Sequence, residues 1–389
     1  MTIKKSTVFY IILLIVYLAP SRISNAFLPY SAYVFYILQL LFGAYYINRY
    51  RMRIKSKTGV WFLLFLLSGF WGMFITTNAD LLSYIRYICW VVSSFGLYNF
   101  FVSCDEQDSY NFLQISRYMF VFTVAISWFY TLFFTDTTVY FWGSEAVTTH
   151  SMIMFLTLSI YYDRKYEDKL SVLSIVCGIL SFAFCVFNNS GQGMTMIFVF
   201  CGLLLVNYFT KQKMQIFMRP IVVVVVIAVL YYIVITFRFT KIDIIVNYIT
   251  TVLSKDVSLT GRDQIFSEVL EIFAEHPIFG YGYNNTIIND TLGKVVMQFN
   301  TAHNSVLQML IDYGIFGTGC LFVFTFSVFK ELIVQKEKYY VVIYFSIIAM
   351  FVGGLVNLII PTNYYLMVVL LAIGDLKRSN VKAVPDLND

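Results

Sequence analysis

Apolar runs separated by short polar breaks recur along almost the whole chain, and most of them are long enough to cross a hydrocarbon core of roughly 30 Å as helices. The pattern predicts spans at 7–20, 27–48, 59–76, 81–103, 118–134, 149–162, 170–187, 193–209, 220–237, 304–328, 339–360 and 363–376. The alternating ten-residue segments of a membrane β-barrel are absent from the sequence. The expected fold is therefore an all-α polytopic integral membrane protein of about twelve transmembrane helices. It divides into a bundle of about nine helices (1–237), a long loop (238–303), three further helices (304–376) and a short tail (377–389).

The interval from Arg238 to His303 is far longer than a connector requires, and loops of such length are commonly functional. Between Lys241 and Lys255, Ile242, Ile244, Ile245, Tyr248, Ile249, Val252 and Leu253 fall at helical spacing and predict an interfacial amphipathic helix. A second helix is predicted from a capping-box-like Thr260 and Asp263. Ile265, Phe266, Val269, Leu270, Ile272 and Phe273 form its apolar face, and Pro277 ends it. Arg262 then lies in the first turn, where free N–H groups and the helix dipole favour a phosphate; a solvated arginine among acidic neighbours is the plainer alternative.

Composition agrees with the pattern: 59% of residues are hydrophobic, 19% aromatic and only 13% charged, too apolar for a soluble globule. The net charge of +5 follows from topology. With the amino terminus inside, 20 of the 27 Lys and Arg residues fall in cytoplasmic segments, which also places both termini inside and the long loop outside. Nothing in the charge calls for nucleic acid. Lys4 and Lys5, an apolar run and Ser24-Asn25-Ala26 also resemble a cleavable secretory signal, but a retained first helix fits better. Five of the six cysteines fall within predicted spans and Cys104 at a cytoplasmic edge, which predicts neither disulfides nor a zinc cluster.

Candidate chemistry concentrates where the long loop meets an apolar helix, in the run His303-Asn304-Ser305 to Gly314-Ile315-Phe316-Gly317. A lone interfacial histidine is as a rule only a satisfied polar group. Here Asn304 is placed to orient it, and Gly314 and Gly317, one turn apart, let another backbone pack against the helix. His276 reads as a helix-end histidine and His150 as structural. Tyr281 and Tyr283, in Gly280-Tyr281-Gly282-Tyr283-Asn284-Asn285, either stack on sugar rings or, the better reading, anchor the loop at headgroup level. Arg86 and Asp312 are charges inside spans, which usually mark a site or a pair; the expectation is that they pair, or that Arg86 joins an anion pocket that Asp312 tunes.

These residues resemble the bacterial O-antigen ligase and polymerase family, whose signature is His followed by Asn, Ser or Gln, then nine residues, then Gly-x-x-Gly. His303, Asn304, Gly314 and Gly317 fit it, and Gly261-Arg262 and the Pro277–Gly282 segment fit the pattern that precedes it. The resemblance runs from about Gly261 to Gly317. One departure concerns a second arginine that family members carry near a Ser-rich turn: the comparable stretch, Asn188 to Gly193, offers Gln192 instead. Either Gln192 donates a neutral hydrogen bond to the phosphate, or Arg238 or Arg86 supplies the charge.

The resemblance implies transfer of a glycan from a polyprenyl (undecaprenyl) pyrophosphate to an acceptor hydroxyl at the outer face of a bacterial cytoplasmic membrane. Arg262 would neutralise the leaving group and His303 act as base, with Asn304, Arg238, Arg86, Gln192, Tyr281 and Tyr283 contacting substrate. Gly280, Gly282, Gly314, Gly317 and Asp312 would shape the motif. It implies lipid-linked donor and acceptor and membrane lipid as partners, with a chain-length regulator and a flippase as companions. The absence of Asp-x-Asp and of a phosphate-binding Gly-rich loop from the sequence disfavours a metal-bound nucleotide sugar, so no metal or cofactor is expected. Three functions remain open: a polymerase of O-antigen or capsule-like repeat units, a ligase acting on lipid A-core, and, from another class, a flippase or transporter. A convincing internal repeat for the last is missing from the sequence.

Overall fold

The computed structural model describes residues 5–18, 31–50, 57–76, 81–134, 140–210, 219–247, 250–251, 262–283, 285–292, 301–335, 337 and 339–382. A helix occupies each stretch whose hydropathy predicts a span. These are α1 (Lys5–Leu18), α2 (Ser31–Tyr50), α3 (Lys57–Thr76), α4 (Leu81–Ser103), α5 (Glu106–Phe133), α6 (Glu145–Tyr162), α7 (Val172–Phe187), α8 (Gly191–Phe209), α9 (Pro220–Ile235), α13 (Ser305–Val334), α14 (Tyr340–Gly353) and α15 (Asn363–Lys382). Among the described residues between α9 and α13 lie a 3-10 turn (Arg238–Lys241) and the helices α10 (Asp243–Asn247), α11 (Arg262–Glu275) and α12 (Ile287–Leu292). Length and composition alone carry a crossing for α3, α4, α5, α8 and α13; α7, α9, α14 and Val8–Leu18 of α1 are apolar but shorter. Of the helix expected over 241–255, α10 forms at Asp243–Asn247, while 248, 249 and 252–255 lie outside the described residues, as do Thr260, Ser24, Asn25 and Ala26.

Local chemistry sets the helix starts. Asp105 accepts from the Asp108 N–H at 2.7 Å to open α5, Ser171 accepts from the Ser174 N–H at 3.1 Å to open α7, and Pro220 stands in the first turn of α9, where its missing N–H costs nothing. At the centre of the bundle α15 is buried on every side from Tyr364 to Leu371, while Phe74, Ile179 and Phe198 are 68%, 63% and 69% exposed, as expected of rings and chains turned to lipid.

α15 continues to Lys382, through the segment expected to be a tail. Charge pairing holds it there: buried Asp375 accepts from Lys165 and from the Tyr161 hydroxyl, and Arg378 donates to the Phe101 carbonyl at 2.9 Å and the Ser109 hydroxyl at 3.0 Å. Lys165 also meets Glu106 at 2.8 Å, and Arg117 meets Glu167 at 2.6 Å. This ionic layer closes one end of the bundle; the His303 junction lies at the other, one helix length away along α13, α14 and α15.

Candidate functional site at the loop–membrane junction

α13 is not one straight rod. Gly314 has φ 63° and ψ −171°, a conformation essentially confined to glycine, and it breaks the helical ladder. The freed peptide groups are taken up by the Pro277–Gly282 turn: the Tyr281 and Gly282 N–H groups donate to the Ile311 and Asp312 carbonyls at 2.7 and 3.0 Å, and the Ile315 and Phe316 N–H groups donate to the Pro277 and Ile278 carbonyls at 2.8 and 3.0 Å. The Thr76 hydroxyl donates to the Tyr281 carbonyl at 3.0 Å, so the turn is held between α3 and α13. Gly280 and Gly282 both have positive φ, 67° and 90°. The two motif glycines of α13 therefore serve different partners. A side chain at Gly314 would run into the Ile278 and Phe279 backbone, and one at Gly317 into Ser68 of α3.

His303 sits immediately before this broken helix with φ 48°, a left-handed conformation that costs a non-glycine residue about 1–2 kcal/mol and so requires external support. Asn304 is fully buried: its side-chain oxygen accepts from the Val306 and Leu307 N–H groups at 3.0 and 3.1 Å, and its amide donates to the Leu355 carbonyl at 2.9 Å. It is the cap of α13, with its amide donating to the Leu355 carbonyl. Ser305 completes the mooring, donating to the Asn357 carbonyl at 2.9 Å and accepting from the Ile359 and Ile360 N–H groups.

The periodicity of α11 explains how Arg262 arrives beside His303. Ile265, Phe266, Val269 and Ile272 on one face of α11 pack with Tyr281, Ile288, Ala302, Leu307 and Ile311, laying the helix over the first turns of α13 with its amino terminus at the junction. The imidazole is close enough to feel the guanidinium: burial first, and the positive charge of Arg262 second, lower the His303 pKa to about 4. Arg262 is itself half-buried, which lowers its own pKa, and it forms no ion pair with a described residue. A guanidinium beside an imidazole, without a described carboxylate between them, is an arrangement that can receive an anion.

The remaining candidates are placed less uniformly. Tyr281 is buried, donating to the Glu275 carboxylate at 2.7 Å and lying edge-on to His276; Tyr283 stacks on Tyr87 and Trp90. Both rings are packed against other side chains of the protein. Arg86 and Asp312 do not pair: Asp312 accepts from Gln308 and Asn285, both at 2.9 Å, while Arg86 lies over the Tyr36 ring with a buried Nε that lacks a hydrogen-bond partner among the described residues. Gln192 is tied to His150 at 2.9 Å and to the Gly353 carbonyl at 3.2 Å, inside the bundle. His150 is correspondingly buried, in the second turn of α6. Arg238 is exposed, with its guanidinium 5.1 Å from the centre of the Tyr232 ring.

Tyr232 also lines an apolar cavity of about 380 Å³ between α9, α13 and α14, walled by Ile227, Tyr231, Val306, Phe322, Phe326 and Phe351. It begins at Val306, three residues past His303, and extends along the membrane-spanning part of α13. A half-buried cation and an imidazole three residues before a cavity-lining position can suit an amphiphile with an anionic head.

Long apolar helices with lipid-facing rings define an integral membrane protein. Residues 176–322 match a family model described as O-antigen ligase, so the resemblance read from the residues holds, and over a wider stretch than the Gly261–Gly317 motif block. That family comprises membrane enzymes of ligase and polymerase type, which act with lipid-linked glycans in the membrane. The match takes in Gln192, Arg238, Arg262 and His303 but leaves out Arg86. No curated protein and no solved structure matches the chain.

Sequence reasoning passed over Gln308, Ser305 and Asn285, which fix the junction from behind. Gln308 and Asp312 do stand four apart, a spacing that puts two side chains on one helix face and was the available signal.

Proposed function

We propose that the protein is a polysaccharide polymerase, transferring a growing glycan from polyprenyl pyrophosphate onto the next lipid-linked repeat unit at the outer face of the cytoplasmic membrane. The observation that carries this reading is Arg262, half-buried and without a carboxylate partner among the described residues, beside His303, whose pKa it helps to lower, with an apolar cavity beginning three residues further on at Val306. The isoprenoid lies in that cavity and brings its diphosphate up to Arg262. With a pKa near 4, His303 is neutral at physiological pH and takes the proton from the acceptor hydroxyl. The acceptor oxygen bonds to the anomeric carbon as the bond to the diphosphate oxygen breaks, and the electron pair leaves with polyprenyl diphosphate, whose charge Arg262 offsets. The imidazolium then returns its proton to solvent. With Gln192 committed to His150 and Gly353, Arg238 at the cavity rim is the second cation.

Transfer to lipid A-core is the same chemistry with another acceptor, and the description of the matching family model fits that second reading equally. Purified protein with lipid-linked repeat unit alone separates the two. A ladder of longer glycans, abolished by His303→Ala and Arg262→Ala, supports the polymerase; product only after lipid A-core is added gives the case to the ligase. A chain that moves lipid across vesicles regardless of His303→Ala and makes no glycan bond is a flippase.

A further inference from the structure

His303 holds a backbone conformation that its own sequence disfavours, and the hydrogen bonds that brace it from the loop side lead to one half-buried carboxylate, that of Asp312. The Ala302 N–H, one residue before the histidine, donates to Gln308 Oε1 at 2.9 Å. Gln308 Nε2 donates to Asp312 Oδ1 at 2.9 Å, and Asn285 Nδ2 donates to the same oxygen at 2.9 Å and to the Gly282 carbonyl at 2.7 Å. Asp312 therefore stands at the meeting point of three segments: the residue before His303, the first turns of α13, and the turn that fills the Gly314 break.

From this geometry we infer that Gln308 and Asp312 are positioning residues, a relay that fixes the imidazole of His303 against Arg262 without touching substrate. The inference rests on the glycosyl-transfer reading for its catalytic consequence. Its logic lies in amide orientation. A glutamine side chain offers a donor and an acceptor on two otherwise similar ends, and in isolation it can flip. The Asp312 oxygen accepts only, so it draws Nε2 inward and leaves Oε1 to face the Ala302 N–H. What the relay requires of residue 312 is an acceptor at that point, not a negative charge, so asparagine can substitute and alanine cannot. Displacing a catalytic group by about 1 Å lowers rates on the order of 100-fold, whereas substrate binding through Arg262 and the cavity should be spared.

The test uses the full-length protein in nanodiscs, as wild type, Gln308→Ala, Gln308→Met, Asp312→Ala and Asp312→Asn. Each is assayed for kcat and KM with lipid-linked repeat unit, and for the rates at which diethyl pyrocarbonate modifies His303 and His276, read by peptide mass spectrometry. The relay predicts that the two alanine variants lose about 10- to 100-fold in kcat with KM within about threefold, while Asp312→Asn stays within about threefold of wild type. It also predicts that His303 reacts at least about fivefold faster in the alanine variants, with His276 as the internal reference. Unaltered His303 reactivity in those variants overturns the inference, and so does an Asp312→Asn variant as damaged as Asp312→Ala, because charge would then be what matters. Buried His150 must stay unmodified; should it react in Gln308→Ala, the fold is lost there and Gln308→Met, which keeps the packing, decides the matter by the same criteria. A wild-type protein that forms no glycan bond defeats the functional reading alone, since His303 reactivity still reports the relay.

Discussion

Acidification separates a catalytic His303 from an ordinary one. Burial and the Arg262 charge bring its pKa from 6.5 to about 4. At pH 5.5 a histidine of pKa 4 is about 97% neutral, and one of pKa 6.5 only about 9%, a difference of roughly tenfold in the base form. The profile of kcat/KM against pH reports the free enzyme, so its acid limb should fall near pH 4, with almost full activity at pH 5.5. In Arg262→Gln the charge is gone but the burial stays, so the limb of the residual activity should move up toward 6.5 without reaching it. The same shift bears on stability. Because the folded state resists protonating this imidazole, His303 costs nothing above pH 6.5 and destabilises the fold increasingly as pH falls from there to about 4, where the unfolded chain binds the extra proton. Initial rates across pH 4–7, with each sample returned to pH 7 to check for lost protein, give the profile. An acid limb at 6.5 in both the wild type and Arg262→Gln would refute the argument, for it would mean that the two side chains do not share an environment.

Two further outcomes follow from the packing. Gly314→Ala places a β-carbon on the Ile278 carbonyl in a backbone region that only glycine tolerates; it should cost at least about 1–3 kcal/mol and lower the unfolding temperature and activity together, whereas Gly319→Ala, which meets nothing within 4 Å, should leave the unfolding temperature within about 1–2 °C. Ala228→Trp fills the cavity beside Ile227 and Tyr231, so KM should rise about tenfold for a long-isoprenoid donor and change little for a donor with a short lipid; equal effects on both would remove the cavity from the substrate path.

Much of this molecule is legible in one dimension because a membrane reads its sequence locally. Hydropathy located every long helix, and the spacing of Ile265, Phe266, Val269 and Ile272 located α11, since each depends only on neighbours within a few turns. The polar junction at His303 stood out for the same reason. The sequence could not reveal what those residues would meet. In a linear pattern Gly314 is merely a weak helix former; its role as a break exists only because the Pro277–Gly282 turn, some thirty residues earlier, supplies the donors and acceptors that the broken ladder releases. Likewise the placement of Arg86 and Asp312 inside apolar spans suggested a pair of charges or a shared anion pocket, and only the fold revealed that Gln308 and Asn285 hydrogen-bond the carboxylate. Tertiary structure decided these matters because a buried polar group takes the partner that three-dimensional packing brings within hydrogen-bonding distance, and sequence separation has no bearing on which one that is.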